Sequence, residues 1–317
     1  MGRLGGPGRE RDLAGIGGLC QGGGVPGSQR SGVISALLAY GAWGIIPLYW
    51  RLLGEVPPIE VLAFRVVCSV AFVAAYLAFT GAWPQLKQTL RDPRQLRLLF
   101  LSGVLIGANW GIFIAAIQWH RLADASLGYF LNPLLNVALG VLVLKETLRP
   151  LQKWAVALAS VAMAMMILFG GGLPLIALFL ATSFAIYGLV RKSVPVPATV
   201  GLMVETLLLL PIALGYLLWL GPEASVVYGA GPLRWFLAAL SGPVTALPLA
   251  WFAVAARSLP LSTLGLTQYL APTGQFLLAV LAFGETMPPF KWAAFGLIWV
   301  ALGLFTYDLL RTQRRTA

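Results

Sequence analysis

Long apolar stretches, separated by short polar connections, run along most of this chain. A bilayer span needs about 20 predominantly apolar residues, and backbone groups inside lipid must be hydrogen-bonded within the protein. Because the apolar positions are continuous and do not alternate with polar ones, they predict helices. Seven of the 11 Trp, Trp50 among them, lie near span ends, where the indole ring prefers the interface. The pattern predicts ten spans, at residues 33–53, 59–79, 97–119, 122–144, 151–169, 173–191, 200–220, 233–255, 261–283 and 290–310.

One of these apolar segments occurs twice. The segment from Ser126 to Pro150 reappears from Thr263 to Pro289, with a proline in register and a Glu-Thr pair near its end. The ten spans divide into two units of five, at residues 33–169 and 173–310, and an odd number of spans makes the second unit enter the membrane upside down. The sequence therefore predicts an all-α integral membrane protein with ten transmembrane helices, arranged as two inverted five-helix repeats.

Charge predicts the orientation of the chain. Charged residues make up only 10% of the sequence, mean hydropathy is +0.83, and the net charge is +11. With the N-terminus inside, 17 of the 22 Lys and Arg lie on the inner side, four lie outside and one lies within a span. This positive-inside bias accounts for the net charge without a nucleic-acid partner. We expect a multi-pass protein of the bacterial cytoplasmic membrane with both termini cytoplasmic, as a disordered Gly-rich tail (1–30) and a basic tail (311–317).

The sequence contains no motif for catalysis. It has no Gly-rich phosphate loop, no Ser with a suitable His partner and no cluster of metal-binding side chains. We therefore expect no enzymatic activity, no cofactor and no metal, and a transport process that does not use ATP on this chain. The expected partners are the lipid bilayer and an unidentified small-molecule substrate, and a homodimer is left open.

Two opposite charges lie within predicted spans. Arg65 is in the second span and Glu205 in the seventh, at equivalent positions of the two repeats. An unpaired charge at depth costs about 2.5 kcal/mol or more, so we expect both side chains to face the bundle interior and to pair. One interpretation is that they line a central cavity and bind an anionic or zwitterionic substrate, with Glu205 as a coupling proton carrier. The other is a structural ion pair, or side chains that reach the interface.

The two prolines of the repeated segment predict a second group of site residues. Pro133 and Pro272 lack an N–H, so each leaves the carbonyl four residues earlier without its helical partner. Polar side chains beside such carbonyls can line a cavity, or can tie neighbouring helices together at a kink. The favoured candidates are Tyr129, Asn132, Gln268 and Tyr269.

Aromatic and amide side chains in the middle of other spans form a third group. Asn109 and Trp110 lie in the third span, Trp251 in the eighth and Trp43 in the first. Such rings can stack on planar metabolites, although packing or lipid contact is the commoner role.

The repeated glutamates and the single histidine are expected at the membrane edge. Glu146 and Glu285 follow their spans directly, a position where carboxylates cap helices or form surface ion pairs. His120 lies at a helix end, next to Arg121. We therefore expect interfacial roles for all three.

Several motifs together resemble the bacterial RarD permeases, which belong to the EamA group of the drug/metabolite transporter superfamily. These motifs are ANWGIFIAA (108–116), ASLGYFLNPLLNVALG (125–140), YGLVRK (187–192), Glu205-Thr206, STLGLTQYLAPT (262–273), GLIWVAL (296–302) and QRRT (313–316). The resemblance covers about residues 32–317 and implies a ten-helix inner-membrane permease with two EamA repeats. It implies neither a specific ligand nor catalytic residues.

The function that best fits these features is secondary transport of a small metabolite or drug across the cytoplasmic membrane by alternating access. Proton coupling through Glu205 stays open, because pairing with Arg65 would hold the carboxylate ionised. A facilitator or a lipid-intermediate flippase is an alternative. From a different class, a membrane sensor or scaffold would bind a partner protein and transport no solute.

Overall fold

The computed structural model describes residues 26–144, 148–170, 173–229, 231–259 and 267–316, which form helices and short connections without a β-strand. The helices of the first half are α1 (Pro26–Leu52), α2 (Pro58–Thr80), α3 (Trp83–Leu90), α4 (Pro93–Gln118), α5 (Leu122–Leu144) and α6 (Pro150–Phe169). Those that follow are α7 (Leu175–Lys192), α8 (Ala198–Ala224), α9 (Val226–Gly229), α10 (Pro232–Ser258), α11 (Leu270–Leu277) and α12 (Pro289–Thr316). The predicted span at 261–283 lies partly outside the described residues, and α3 and α9 are short helices that the sequence did not predict as spans.

Most of the long helices suit a bilayer. Within the described residues, seven are long and apolar enough to cross a membrane, and two shorter apolar helices cover Leu175–Arg191 and Leu270–Ala282. Large apolar side chains point outward, as with Phe79 (92% exposed) and Leu218 (81%). An outward surface of this kind is unstable in water and stable against lipid tails. The chain is an all-α membrane protein.

Helix starts follow from local sequence. Proline at the first helical position needs no N–H partner there, and α2, α4, α6 and α10 all begin with proline. Asp92 caps α4 by accepting hydrogen bonds from the N–H groups of Arg94 (2.9 Å) and Gln95 (3.2 Å). The bond from the Gln95 backbone lowers the pKa of the Asp92 carboxyl below its usual value.

The long helices pack in a regular set of neighbours. Helix α1 packs on α10 and α11, α2 on α8 and α10, α4 on α7 and α8, and α5 on α7 and α11, whereas α6 packs on α12. The α1–α11 contact is close enough to need glycine, since a Cβ on Gly274 would lie 3.0 Å from Gly44 Cα. Small residues at such crossings are typical of helix pairs in membranes.

The repeated proline segment is irregular in its second copy. A π-helical turn, Leu278–Ala282, continues α11, and the Phe283 N–H reaches back to the Leu278 carbonyl at 2.8 Å. The first copy continues as helix α5 through Pro133. A π-helical turn changes which side chains share a face, and such turns are frequent at functional sites.

Candidate functional site

Arg65 lies inside the bundle, on α2. It is 8% exposed, and its Nε donates a hydrogen bond to Thr245 Oγ1 of α10 at 3.0 Å. The guanidinium carbon lies 3.9 Å from the ring centre of Trp110 on α4, and 5.0 Å from that of Trp50 on α1. No carboxylate of the described residues forms an ion pair with Arg65. Indole faces and one hydroxyl therefore hold this cation.

Trp50 is a site residue that the sequence did not indicate. The other six Trp near predicted span ends are at least 37% exposed, but Trp50 is 1% exposed. Trp50 does lie near the end of α1, as predicted, but its ring turns inward against Arg65 and the apolar core and does not face the interface. The indole Nε1 is buried and has no hydrogen-bond partner among the described residues.

Two further predicted residues join this site through a hydrogen bond. The Tyr129 hydroxyl donates to Asn109 Oδ1 at 2.9 Å, and Tyr129 is close enough to Arg65 for an electrostatic interaction. The Asn109 amide nitrogen donates to the Leu180 carbonyl (3.0 Å) and to Ser183 Oγ (2.9 Å) on α7. The Asn109 side chain is thus satisfied and fixed, and it positions the Tyr129 hydroxyl. Arg65, Asn109, Trp110 and Tyr129 form one cluster.

Glu205 lies in a separate polar cluster on α8. It is 1% exposed, Ser102 Oγ of α4 donates to its Oε1 at 2.6 Å, and Arg191 Nε of α7 lies 3.6 Å from the same oxygen. The Tyr187 side chain interacts with both members of this ion pair. The second carboxylate oxygen, Oε2, is buried without a hydrogen-bond partner among the described residues.

The expectation that Arg65 and Glu205 pair with each other is corrected by these contacts, since Glu205 pairs with Arg191. Each residue lies seven positions after the first residue of its helix, Pro58 or Ala198. At a rise of 1.5 Å per residue, this places each about 10 Å from its own helix start. Equal depth brings two side chains together only when both helices start at the same face.

A spacing in the sequence could have identified Arg191. It precedes Glu205 by 14 residues, and Arg51 precedes Arg65 by the same number. A proline occupies the position just before the following helix in both halves, Pro57 before α2 and Pro197 before α8. Equivalent positions therefore hold an Arg–Glu pair in one half and two arginines in the other.

A series of aromatic rings connects the two clusters. Tyr129 on α5 lies 5.9 Å from Phe184 on α7, and Phe184 lies 5.8 Å from Tyr187, measured between ring centres. The first ring is near Arg65 and the last is near Glu205. Three aromatic rings, the first and last of which carry hydroxyls, thus run from one buried charge to the other along α5 and α7.

The remaining residues of the proline group lie apart from this cluster. Tyr269 interacts with the side chains of Gln268 and of Thr306, on α12, and packs in the core between α5, α6 and α12. The Gln268 carbonyl does not stay free, since it accepts a hydrogen bond from the Ala271 N–H at 3.3 Å in a tight turn. The Asn132 side-chain oxygen is buried without a hydrogen-bond partner among the described residues.

Trp43 and Trp251 also belong to other surroundings. The Trp43 ring packs against Tyr40 (5.3 Å) and Phe252 (5.9 Å), between α1 and α10. Trp251 lines an apolar groove of about 1000 Å³ between the same helices, together with Tyr49, Leu247 and Phe283.

Glu285 has one of the two roles that the sequence left open, namely capping. Its carboxylate accepts hydrogen bonds from the N–H groups of Leu122 (2.5 Å) and Ala123 (2.8 Å), at the start of α5. His120 is exposed in the turn between α4 and α5, consistent with an interfacial position. Glu146 lies outside the described residues. Within the described ranges, no three His, Cys, Asp or Glu side chains gather as a metal site requires.

Comparisons with known proteins place the chain in a family. Residues 30–168 match the model of the EamA-like transporter family. The RarD protein of Streptomyces exfoliatus is 46% identical over 289 residues, covering 91% of this chain and 92% of that protein. An uncharacterized transporter of Pseudomonas aeruginosa is 46% identical over 292 residues, covering 90% and 96%. A protein of known crystal structure shares the fold, with a TM-score of 0.56 at 20% identity over 87% of this chain and 97% of its own.

These similarities cover about nine-tenths of the chain, so they apply to most of the bundle and not to one segment. Together with the lipid-suited surface, they establish a multi-pass bacterial membrane protein that transports small molecules. The chain belongs to the RarD family of EamA-type permeases.

Proposed function

We propose that this permease is a secondary transporter of small metabolites or drugs that works by alternating access between two inverted five-helix halves. The halves are residues 33–169 and 173–310, in the bacterial cytoplasmic membrane with both termini cytoplasmic. Substrate would bind among Arg65, Asn109, Trp110 and Tyr129, on the three helices α2, α4 and α5.

The observation that carries this proposal is the exchange of helix neighbours between the halves. Replacing α1, α2, α4, α5 and α6 by α7, α8, α10, α11 and α12, and the reverse, turns the most extensive packed pairs into one another. The α1–α10 contact becomes α7–α4, and α1–α11 becomes α7–α5, both of which occur. The pairs α2–α8, α5–α11 and α6–α12 map onto themselves. A two-fold axis in the membrane plane produces such an exchange, and it gives inward-open and outward-open states similar energies.

The separation of Arg65 from Glu205 supports the same arrangement. In inverted halves, α2 and α8 start at opposite faces, so side chains at equal depth lie on opposite sides of the midplane. Glu205 and its partner Arg191 then belong to the cytoplasmic side, where they hold α7 and α8 together. We propose this ion pair as the closure of that side, with Glu205 as the site where a coupling proton would bind.

The groove between α1 and α10 favours lipid-intermediate flipping as a second candidate function. It holds about 1000 Å³, and its lining is almost wholly apolar. Lipid chains suit such a surface, and a head group would need a polar path beside it.

Flux measurements in proteoliposomes test both candidates. The substrates are a metabolite panel, chosen from changes in a deletion strain, and a fluorescent phospholipid, each with and without a pH gradient. Alternating access predicts saturable metabolite flux, and coupling predicts that E205Q loses the effect of the gradient whereas E223Q, on the exposed end of α8, keeps it. Phospholipid movement alone would favour the flippase. Absence of all flux, in protein that binds a partner, would overturn transport by alternating access.

A further inference from the structure

We infer that the Arg65 site selects small organic anions, namely carboxylates attached to a planar or aromatic group. This inference rests on the proposed binding cluster and adds the chemical class of the substrate. Its basis is a buried guanidinium that has no carboxylate partner among the described residues and whose described neighbours are indole rings, the Thr245 hydroxyl and the side chains of Tyr49 and Tyr129.

The two halves differ in whether the buried charge at the equivalent position, Arg65 or Glu205, has a counter-ion. In the second half, Glu205 meets the arginine that lies 14 residues before it. In the first half both of these positions hold arginines, Arg51 and Arg65, and their side chains point to different surroundings. Arg51 turns to the Phe283 ring, 4.3 Å from its centre, whereas Arg65 turns into the bundle. The first half thus contributes a buried positive charge without the carboxylate that its counterpart has.

Such a charge is costly unless something compensates it. A buried ion that lacks its partner is strongly destabilising, and cation–π contacts contribute only about 2 kcal/mol each when desolvated. The only hydrogen bond that Arg65 donates within the described structure comes from Nε. A carboxylate that binds the two terminal nitrogens of the guanidinium would supply the counter-charge and a bidentate geometry.

A second donor at the site also lacks an acceptor. The Nε1 of Trp50 is buried, its ring lies against Arg65, and it has no hydrogen-bond partner in the described ranges. Indole N–H groups donate only, so an anionic oxygen satisfies this group and a cationic ligand does not. The Arg65 guanidinium and the Trp50 indole can therefore both donate further hydrogen bonds, and this favours an anionic ligand over an amine.

The walls of the site indicate what the carboxylate is attached to. Trp110 and Trp50 both lie against the guanidinium, and Tyr129 continues the surface towards Phe184. Flat rings bind flat groups by offset or edge-to-face contact. Arg65 and Trp110 are 8% and 9% exposed, so the site is closed here and a ligand enters when the halves move.

Ligand-dependent thermal stability of the purified full chain in detergent tests this inference without a known substrate. The probes are benzoate and indole-3-acetate, their neutral amides benzamide and indole-3-acetamide, and the amine benzylamine. We expect the two acids to raise the unfolding temperature in a saturable manner, and the amides and the amine to leave it unchanged. R65Q should weaken benzoate binding about tenfold or more, because a hydrogen bond to a charged group is lost. R51Q is the matched control and should bind benzoate as the wild type does.

The outcomes separate this inference from the proposed transport cycle. Equal stabilisation by acids and amides in the wild type would overturn anion selection, and this arm needs no variant that must fold. Undiminished binding by R65Q would overturn the role of Arg65. R65K tests charge apart from shape, and we expect it to recover part of the affinity that R65Q loses. Saturable flux of amines or neutral compounds that is unchanged in R65Q would agree with alternating access but would overturn the assignment of Arg65 as an anion site.

Discussion

Arg65 and Glu205 are both ionisable side chains buried among apolar helices, and their surroundings compensate them differently. Glu205 has a hydroxyl donor in Ser102 and a cation in Arg191. Arg65 has Thr245 and two indole rings. A buried pair is most destabilising when only one partner is removed, because the other charge stays behind. This difference predicts separate responses to substitution.

The Arg191–Glu205 pair should behave as a coupled unit in a double-mutant cycle. E205Q and R191Q each leave one uncompensated charge, and we expect each to cost about 3 kcal/mol of stability. The double variant R191Q/E205Q removes both charges and should be more stable than the sum of the single losses predicts. Thermal unfolding of the detergent-solubilised protein, with the concentration of detergent held fixed, measures all three.

E223Q serves as the control for this cycle, since Glu223 is exposed at the end of α8 and its loss should change stability by about 0.5 kcal/mol or less. Strict additivity of the two single losses would show that the 3.6 Å contact contributes no coupling energy.

At this scale the sequence indicated which charges matter but not their partners. Arg65 and Glu205 stand out because ionisable groups inside apolar spans are rare. Their partners depend on which faces of three helices meet, and hydropathy does not contain that information. Arg191 lies at the end of α7, so the sequence alone predicts a charge in a loop. For Trp50 the sequence alone predicts a ring at the membrane interface. The equal 14-residue spacing in both halves was the available signal for Arg191.

Two helix starts in this bundle are capped by carboxylates that are distant in the sequence. Glu285, after the π-helical turn, accepts from the first two N–H groups of α5. Glu60, on α2, accepts from the Val227 N–H at 3.0 Å and from Ser225 Oγ at 2.5 Å, at the start of α9. Each carboxylate satisfies N–H groups that a helix start leaves open, and its charge is favourable there. The caps therefore join elements that are distant in the sequence.

Removal of the Glu285 cap should destabilise the contact between the end of α11 and the start of α5. We expect E285A to cost about 1–2 kcal/mol, because two N–H groups of α5 lose their acceptor. E285Q keeps one side-chain oxygen and should lose less. The measurement is the unfolding temperature in detergent. E55A is the control, because Glu55 forms a surface ion pair with Arg234, is 78% exposed and should contribute little. A loss for E285A no greater than that for E55A would contradict the capping role.

The long helices were largely predictable, and their irregular parts were not. The span predicted at 122–144 coincides with α5, and that at 59–79 is within one residue of α2 at each end. The chain before the first span was expected to be a tail, yet α1 begins at Pro26. Hydropathy detects apolar length, so it misses the amphipathic helix α3 and the π-helical turn after α11. Both depend on hydrogen bonds, which composition does not determine.

At the scale of the whole molecule, the neighbour exchange between halves and the positions of the two charges have one common explanation. If the halves are inverted, as we propose, α2 and α8 pack together from opposite faces, with Arg65 towards one side and Glu205 towards the other. The polar clusters then lie at two depths, joined by the rings of Tyr129, Phe184 and Tyr187. A substrate that moves from one side to the other would pass both charges. Of these two residues, Glu205 has a protein counter-ion among the described residues and Arg65 does not.

Inversion makes a direct prediction for the two connections that are equivalent in sequence. The α1–α2 connection, at 53–57, and the α7–α8 connection, at 193–197, precede the helices that carry Arg65 and Glu205. If the halves are inverted, these connections face opposite sides of the membrane.

A phosphatase reporter that is active only outside the cytoplasm should therefore be active when inserted at Gly54 and inactive at Ser193. A green fluorescent reporter, which folds in the cytoplasm, should give the reverse. A reporter fused after Ala317 provides the control, since the positive-inside bias predicts a cytoplasmic C-terminus. Equal activity at Gly54 and Ser193 would mean that the halves are parallel. Arg65 and Glu205, at equal depth, would then lie on the same side of the membrane, and their separate partners would have no explanation.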